Sequence, residues 1–512
     1  MSKDYAIGVD IGTTSTKAVL FDVAGSPVAV HNIEYPLFSP KPSIAEQDPD
    51  EIFRAVVGTI REVVRRGAAA ASRIRCVSFS SAMHSVIAVD AQGIPLTRCI
   101  TWADNRSAPW TERIRTEMNG HQIYLRTGTP LHPMAPLSKL LWLKHAMPEL
   151  FARAHKFVSI KEYVFHKLFK RYVVDYSIAS ATGMFALSRL AWDEEALAVA
   201  GVTADRLSEP VPTTYRLTGI DAHWAAEMNV PADVPFVVGA SDGVLSNLGV
   251  NAIDPGTVAL TIGTSGAIRT VIDRPVTDPK GRIFCYALTE DMWVIGGPVN
   301  NGGMIFRWLR NELCSPEAET ALLLGRDPYD VLTEAASLVK PGAEGLLFHP
   351  YLSGERAPLW NANARGSFFG LGLHHKKQHM IRAVLEGVIF NLFTVYMALA
   401  ELIGRPSKIQ ATGGFARSEL WRQMVADIFD QEVLVPESVE SSCLGAAVLG
   451  LYSIGDVPSL HVVSEMTGTS HRYAPNPQNV KIYQELTRIF VRVSRLLSEE
   501  YEHIAAFQKK WM

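Results

Sequence analysis

Three short apolar runs open the chain, YAIGVDI, KAVLFDV and PVAVHNIEY, joined by GTTST and by Ala24-Gly25-Ser26. Apolar stretches of this length, bounded by glycine and hydroxyl residues, predict three β-strands in an antiparallel meander. After Asp48-Pro49-Asp50, EIFRAVVGTIREVVRR carries apolar residues at helical spacing, and RIRCVSFSS and HSVIAVD return to strand character. Strands, a helix and strands again predict α/β architecture.

The pattern recurs half a chain later in GTVALTIGTSGAIRTVIDRP, where Ile262-Gly263-Thr264 repeats Ile11-Gly12-Thr13; Gly12 and Gly263 stand 251 residues apart. Two domains that each begin with the same hairpin are expected. Residues 237–247, VVGASDGVLSN, read as a strand handing over to a helix, which places the crossing near 248–254 and the domains at 1–248 and 249–512. The second half continues with the strand IQAT, the pair Gly413-Gly414 and a helix from about Ser418 to Phe429. From Lys481 the tail reads as one long amphipathic helix with Ile482, Leu486, Ile489, Phe490, Val493, Leu496 and Leu497 on its apolar face.

Composition narrows the classes. With 512 residues and 47% hydrophobic content, the chain can bury a large core in two or more domains. The 49 basic and 52 acidic side chains are interspersed, so no single-sign block exists to grip nucleic acid or anionic lipid, and small molecules are the expected partners. Five cysteines without a CxxC pair argue against a disulfide framework and a thiolate metal site, and a reducing cytoplasm is expected. The first apolar run leads straight into the glycine turn, unlike a signal peptide. VLEGVIFNLFTVYMALAELI is long enough to cross a bilayer, but Glu386, Asn391 and Glu401 interrupt it, and a buried core helix is the expected reading. Composition leaves a homodimer open.

The turn DIGTTSTK has the chemistry of an anion cradle. Gly12, Thr13 and Thr14 let backbone N–H and hydroxyl groups point at one phosphate, and Lys17 adds charge. It is not a Walker A loop, because GxxxxGK[ST] is absent and a strand follows; an ordinary hairpin turn is the competing reading. Asp10 tilts the balance, since an acid at the end of a buried strand wants a cation, and Mg2+ beside bound phosphates supplies one. The second turn offers Gly263, Thr264 and Ser265 but has Thr261 where the first has Asp10, so the metal is expected on the first side only. Gly413 and Gly414 would let a planar base and ribose approach the backbone.

Asp242 closes a strand and opens a helix, so it is either an N-terminal helix residue or a general base that accepts a proton during phosphoryl transfer. SAMHSVIAVD and TWADNRS supply His84, Trp102, Asp104 and Arg106, a mixture of hydrogen-bonding groups and an aromatic wall that suits a polyol or sugar acid. HHKKQH has metal-like spacing, but its adjacent lysines repel a dication, and a solvated helix start is the better reading.

Taken together, DIGTTSTK, SAMHSV to TWADNRS, PLSKLLWL (with Lys139 and Trp142), GASDG, TIGTSG, GGPVNNGGMIFRW, YLSGERAPLWNANARGSFFGL and GGFARSELWRQMVADIF resemble the FGGY carbohydrate kinases over nearly the whole chain. The resemblance implies two ribonuclease H-like domains, of the type in actin, the Hsp70 chaperones and hexokinase, flanking a central cleft. It further implies ATP- and Mg2+-dependent phosphorylation of a terminal hydroxyl, with D-gluconate as the acceptor. Asp242 would be the base and Asp10 would support the metal. Phosphate would lie on Thr13, Thr14, Lys17 and Thr264, the nucleotide on Gly303, Gly413 and Gly414, and the sugar acid against His84, Trp102, Asp104 and Arg106. A family kinase for xylulose or glycerol is the alternative, and an actin-like ATPase a remote one. A sugar-responsive DNA-binding regulator is set aside, because only seven residues precede Gly8.

Overall fold

The structure, a computed structural model, describes residues 4–67, 71–437 and 440–511. It divides into two compact units whose segments interleave: Met1–Ile253, Val271–Ile295 and Glu440–Gly468 form the first, and Asp254–Thr270, Gly296–Val439 and Thr469–Met512 the second. No single cut between 248 and 249 therefore separates them.

The first unit is built on a six-stranded sheet in the order Arg216–Leu217, Phe236–Ser241, Ile74–Ser81, Tyr5–Ile11, Ser15–Asp22, Pro27–Glu34. The expected meander is present, and Tyr5–Ile11 also pairs in parallel with Ile74–Ser81. Strand period decides where the core goes: Ile7, Val9 and Leu20 join one cluster with Ile52, Val56 and Ile60, whereas Ala6, Val19 and Phe21 join another with Val244, Leu248 and Leu444. The first cluster's helix, Pro49–Arg66, starts where Asp48 accepts from the backbone N–H of Asp50 and Glu51. In the second cluster, Asp242–Gly249 packs on Ser441–Ile454 at backbone distance; a Cβ on Gly445 would lie 2.0 Å from the Leu245 carbonyl oxygen.

The second unit repeats the plan. Gly266–Ile272, Thr257–Ile262, Lys408–Thr412, Glu432–Pro436 and Thr469–Tyr473 are consecutive neighbours in a sheet, with Thr257–Ile262 antiparallel to the first and parallel to Lys408–Thr412. The bilayer-length segment lies in helix Lys377–Ile403, most of which is buried in this unit. The tail differs from expectation: it breaks into Pro477–Leu496 and Ser498–Trp511, and its buried face is Val480, Tyr483, Thr487, Phe490, Val493 and Ser494. Ile482 and Leu496 are exposed. Two hydroxyl residues can be buried because Thr487 Oγ1 donates to the Tyr483 carbonyl (2.7 Å) and Ser494 Oγ bonds the Tyr351 hydroxyl (3.1 Å), a satisfaction that apolar periodicity does not register.

Candidate active site

In the first unit the turn after Tyr5–Ile11 is closed by the Gly12 N–H donating to the Ser15 carbonyl (2.9 Å), and the Tyr35 hydroxyl donates to the Gly12 carbonyl (2.7 Å). Thr13 is held from both ends: its hydroxyl accepts from Trp102 Nε1 (2.8 Å), and its carbonyl from the Gln47 side-chain amide. Thr14 is exposed. Lys17 sits opposite Asp10 in the strand register and pairs with Glu440 at 2.7 Å, just ahead of helix Ser441–Ile454.

Asp10 accepts a hydrogen bond from Ser80 Oγ (2.7 Å), its register partner on the parallel strand. Burial, and next the negative charge of Asp242, push its carboxyl up to about 6. Asp242 is the first residue of helix Asp242–Gly249, where the Gly243 N–H donates to its Oδ1 (2.6 Å). The fold therefore brings Asp10 and Asp242 within electrostatic reach, and Thr13 into contact with Trp102. In the second unit the Asp10 and Ser80 positions are taken by Thr261 and Thr412, whose hydroxyls bond each other at 3.0 Å, so that turn carries no carboxylate.

The acceptor strip is a connected cluster. Asp104 is buried, and both of its oxygens are engaged: Oδ2 accepts from the Ala45 N–H (3.0 Å) and Arg106 Nε (2.9 Å), and Oδ1 from the Arg106 backbone N–H (3.1 Å). Arg106 also pairs with Glu46 and lies over the Trp142 ring, 4.5 Å from its centroid. Beneath the strip, fully buried Lys139 donates from Nζ to the carbonyls of His84 (2.8 Å) and Met134 (2.6 Å). Burial is the main cause that lowers its ammonium to about 7. His84 has a left-handed backbone, φ 69°, and its Nδ1 is 2.7 Å from the Ala181 carbonyl oxygen. Glu46, Gln47 and Glu440 carried no sequence signal. Lys139 did carry one, as a lone lysine inside the apolar run PLSKLLWL.

In the second unit the Gly263 N–H donates to the Ser265 carbonyl (2.9 Å), closing a turn one residue shorter than the first. Gly303 N–H bonds the Gly263 carbonyl (2.7 Å) and Met304 N–H the Thr264 carbonyl (3.0 Å), which fastens helix Gly303–Trp308 to the turn. Only glycine fits at 303 and 413, where a Cβ would lie 2.7 Å from the Gly263 oxygen and 2.3 Å from the Ile262 oxygen; Gly413 also has φ +100°. Beside Gly414 the space is open. A cavity of about 400 Å³ lies there, lined by Thr264, Gly303, Tyr329, Gly414, Phe415 and Trp421 among others. Phe306, Phe415 and Trp421 give it apolar walls that suit a planar ligand, and Arg307, Asp327, Asp330 and Arg417 add charged groups.

Known proteins share this fold. The chain matches the N-terminal domain of the FGGY family of carbohydrate kinases over residues 5–249 and its C-terminal domain over 258–454. It is 60% identical to a gluconokinase of Bacillus licheniformis over 99% of this chain and 98% of that protein. Two solved structures from Lactobacillus acidophilus are each 38% identical: a gluconate kinase (TM-score 0.93) and a ligand-bound xylulose kinase (TM-score 0.92), with 98% of this chain and 100% of each covered. The two matches together span most of the sequence, and the chain belongs to the FGGY family of carbohydrate kinases.

Proposed function

We propose that this kinase transfers the γ-phosphoryl group of ATP to the terminal hydroxyl of D-gluconate, giving 6-phospho-D-gluconate and ADP. The observation that carries the choice of acceptor is the 60% identity to a gluconokinase across 99% of the chain. Trp102 and Arg106 supply an aromatic wall and a cation suited to a sugar acid, and Lys139 holds the His84 backbone beneath them. The nucleotide occupies the cavity beside Gly303 and Gly414, with phosphate toward Thr264 and Ser265. Thr13 and Thr14 give N–H groups to phosphate on the first unit, where the Gly12 N–H is taken by the Ser15 carbonyl and Lys17 and Glu440 form an ion pair.

Asp242 acts as the base. As the new O–P bond forms and the bond to ADP breaks, the proton of the attacking hydroxyl passes to its carboxylate. A divalent cation fits beside Asp10, because a carboxyl raised to about 6 by burial and a neighbouring acid is one whose ionised form gains from a cation. Among the described residues no three acidic, histidine or cysteine side chains converge, which suits Mg2+ held by one or two carboxylates, water and phosphate. When bound, Mg2+ neutralises charge on the transferring phosphates. The absence of a single-sign charge block and of any CxxC pair supports a cytoplasmic enzyme of small molecules.

A xylulose acceptor is the second reading, favoured by the 38% identical structure of that name. Protein with Mg·ATP, assayed for ADP release against gluconate, xylulose, glycerol, ribulose and fuculose, separates them; turnover highest with xylulose would overturn the gluconate reading. Asp242→Asn is expected to lower kcat by roughly 10²–10⁴-fold while nucleotide affinity is kept.

A further inference from the structure

The best-satisfied buried carboxylate in the second unit lies outside the cavity. Glu355 is 1% exposed and accepts four hydrogen bonds. The backbone N–H groups of Asn300 (2.5 Å) and Arg356 (2.8 Å) donate to Oε1, and the side-chain amides of Asn301 (2.8 Å) and Asn391 (2.6 Å) donate to Oε2. Asn391 belongs to the buried helix Lys377–Ile403, so one side of the carboxylate is anchored in the core. The other side grips a loop. Asn300 Nδ2 donates to the Ser353 carbonyl (3.0 Å), Asn301 Nδ2 to the Gly354 carbonyl (2.7 Å), and Arg356 Nε to Asn300 Oδ1 (2.7 Å), so segment 353–356 clasps segment 299–301.

That clasp leads directly to the cavity. Gly302 follows Asn301, and a Cβ there would lie 2.4 Å from the Ser265 carbonyl oxygen. Gly303 and Met304 then donate their N–H groups to Gly263 and Thr264. A shift of Asn301 is passed along two residues with no slack into the turn that lines the cavity. A buried ion is costly unless geometry requires it, and an apolar side chain would satisfy packing alone.

We propose that Glu355 is a positioning residue for the nucleotide: it fixes Asn300 and Asn301, and through them the Gly302-Gly303 backbone against the Gly263–Ser265 turn, without touching the ligand. The inference rests on the reading of that cavity as the nucleotide site.

Glu355→Gln probes it in the full chain. The retained oxygen still serves Asn300 and Arg356, but the new NH2 faces two NH2 donors. Asn391 can turn its amide over, because its Oδ1 is buried without a hydrogen-bond partner, whereas Asn301 Oδ1 already accepts from the Ser353 N–H (3.3 Å). The damage therefore falls on the loop. The KM for ATP and the Kd for ADP are expected to rise about tenfold, one hydrogen bond to a charged group, while the KM for gluconate stays within about twofold. Glu386→Gln is the control: Glu386 is a buried carboxylate on the same helix, bonded to Arg382 and Tyr483 and away from the loop, and this change should lower Tm with both KM values kept. If Glu355→Gln does not fold, Asn391→Ala takes its place and should weaken ADP binding in the same direction. ADP affinity unchanged in a folded variant, or weakened equally by Glu386→Gln, overturns the inference alone. Wild-type protein that binds no ADP removes the nucleotide reading as well.

Discussion

Lys139→Met removes the fully buried ammonium under the acceptor strip and nearly keeps its volume. Two effects oppose each other. An ammonium that ionises at about 7 instead of 10.5 costs the folded state about 5 kcal/mol wherever it must stay charged, at 1.36 kcal/mol for each tenfold change in proton affinity. Against that, the Met variant orphans the His84 and Met134 carbonyls, at about 1–3 kcal/mol each. Near pH 6.5 the two nearly cancel, and the variant should melt close to the wild type. The sign of the pH dependence then separates them. Because the folded-state value is depressed, the penalty is fully present below about 7 and is relieved as pH rises from 7 toward 10.5, where the unfolded chain still holds the proton. Wild-type protein should therefore gain on the variant by up to about 1.4 kcal/mol per pH unit, roughly 5 °C in Tm between pH 7 and 9. The groups acting on this lysine charge are Asp104 and Cys99, which favour it, and Arg106, which opposes it. Differential thermal unfolding of the two proteins from pH 6 to 9 reads the effect, and a Tm difference flat across that range refutes the reasoning. The gluconate KM should rise at every pH, since the left-handed His84 loses its clamp.

Two further outcomes follow from the same packing and charges. Gly445→Ala forces a Cβ to within 2.0 Å of the Leu245 carbonyl oxygen and should cost about 1–3 kcal/mol or more. It should lower kcat as well, because it displaces the helix that begins at Asp242; unchanged Tm and turnover would contradict this. Asp10→Asn relieves a carboxyl held at about 6 instead of 3.8, a folded-state penalty that is absent below 3.8 and complete above 6. The ligand-free variant should melt above the wild type at pH 7. It should also lose the tenfold-per-unit fall in Mg2+ affinity for the ADP-bound protein that is expected of the wild type below about pH 6; a variant that melts lower, or retains that fall, would count against the reading.

What local chemistry dictates was legible in the sequence. Strand period and turn residues gave the meander, and the repeated Ile-Gly-Thr turn identified a second hairpin whose sheet neighbours follow the same antiparallel and parallel pairing. The exchange of Asp10 for Thr261 was visible as well, since both occupy the same place in their hairpins. The tertiary structure alone decided which distant groups meet. It returned residues 440–468 to the first unit and thereby gave Lys17 its partner Glu440. It closed Asp104 around Arg106, buried Tyr483 and Thr487 in the tail where apolar spacing pointed to Ile482 and Leu496, and wrapped four donors around Glu355. Hydrophobic period and turn propensity act over a few residues, whereas a buried charge is stabilised by whichever donors the folded chain carries to it from far along the sequence.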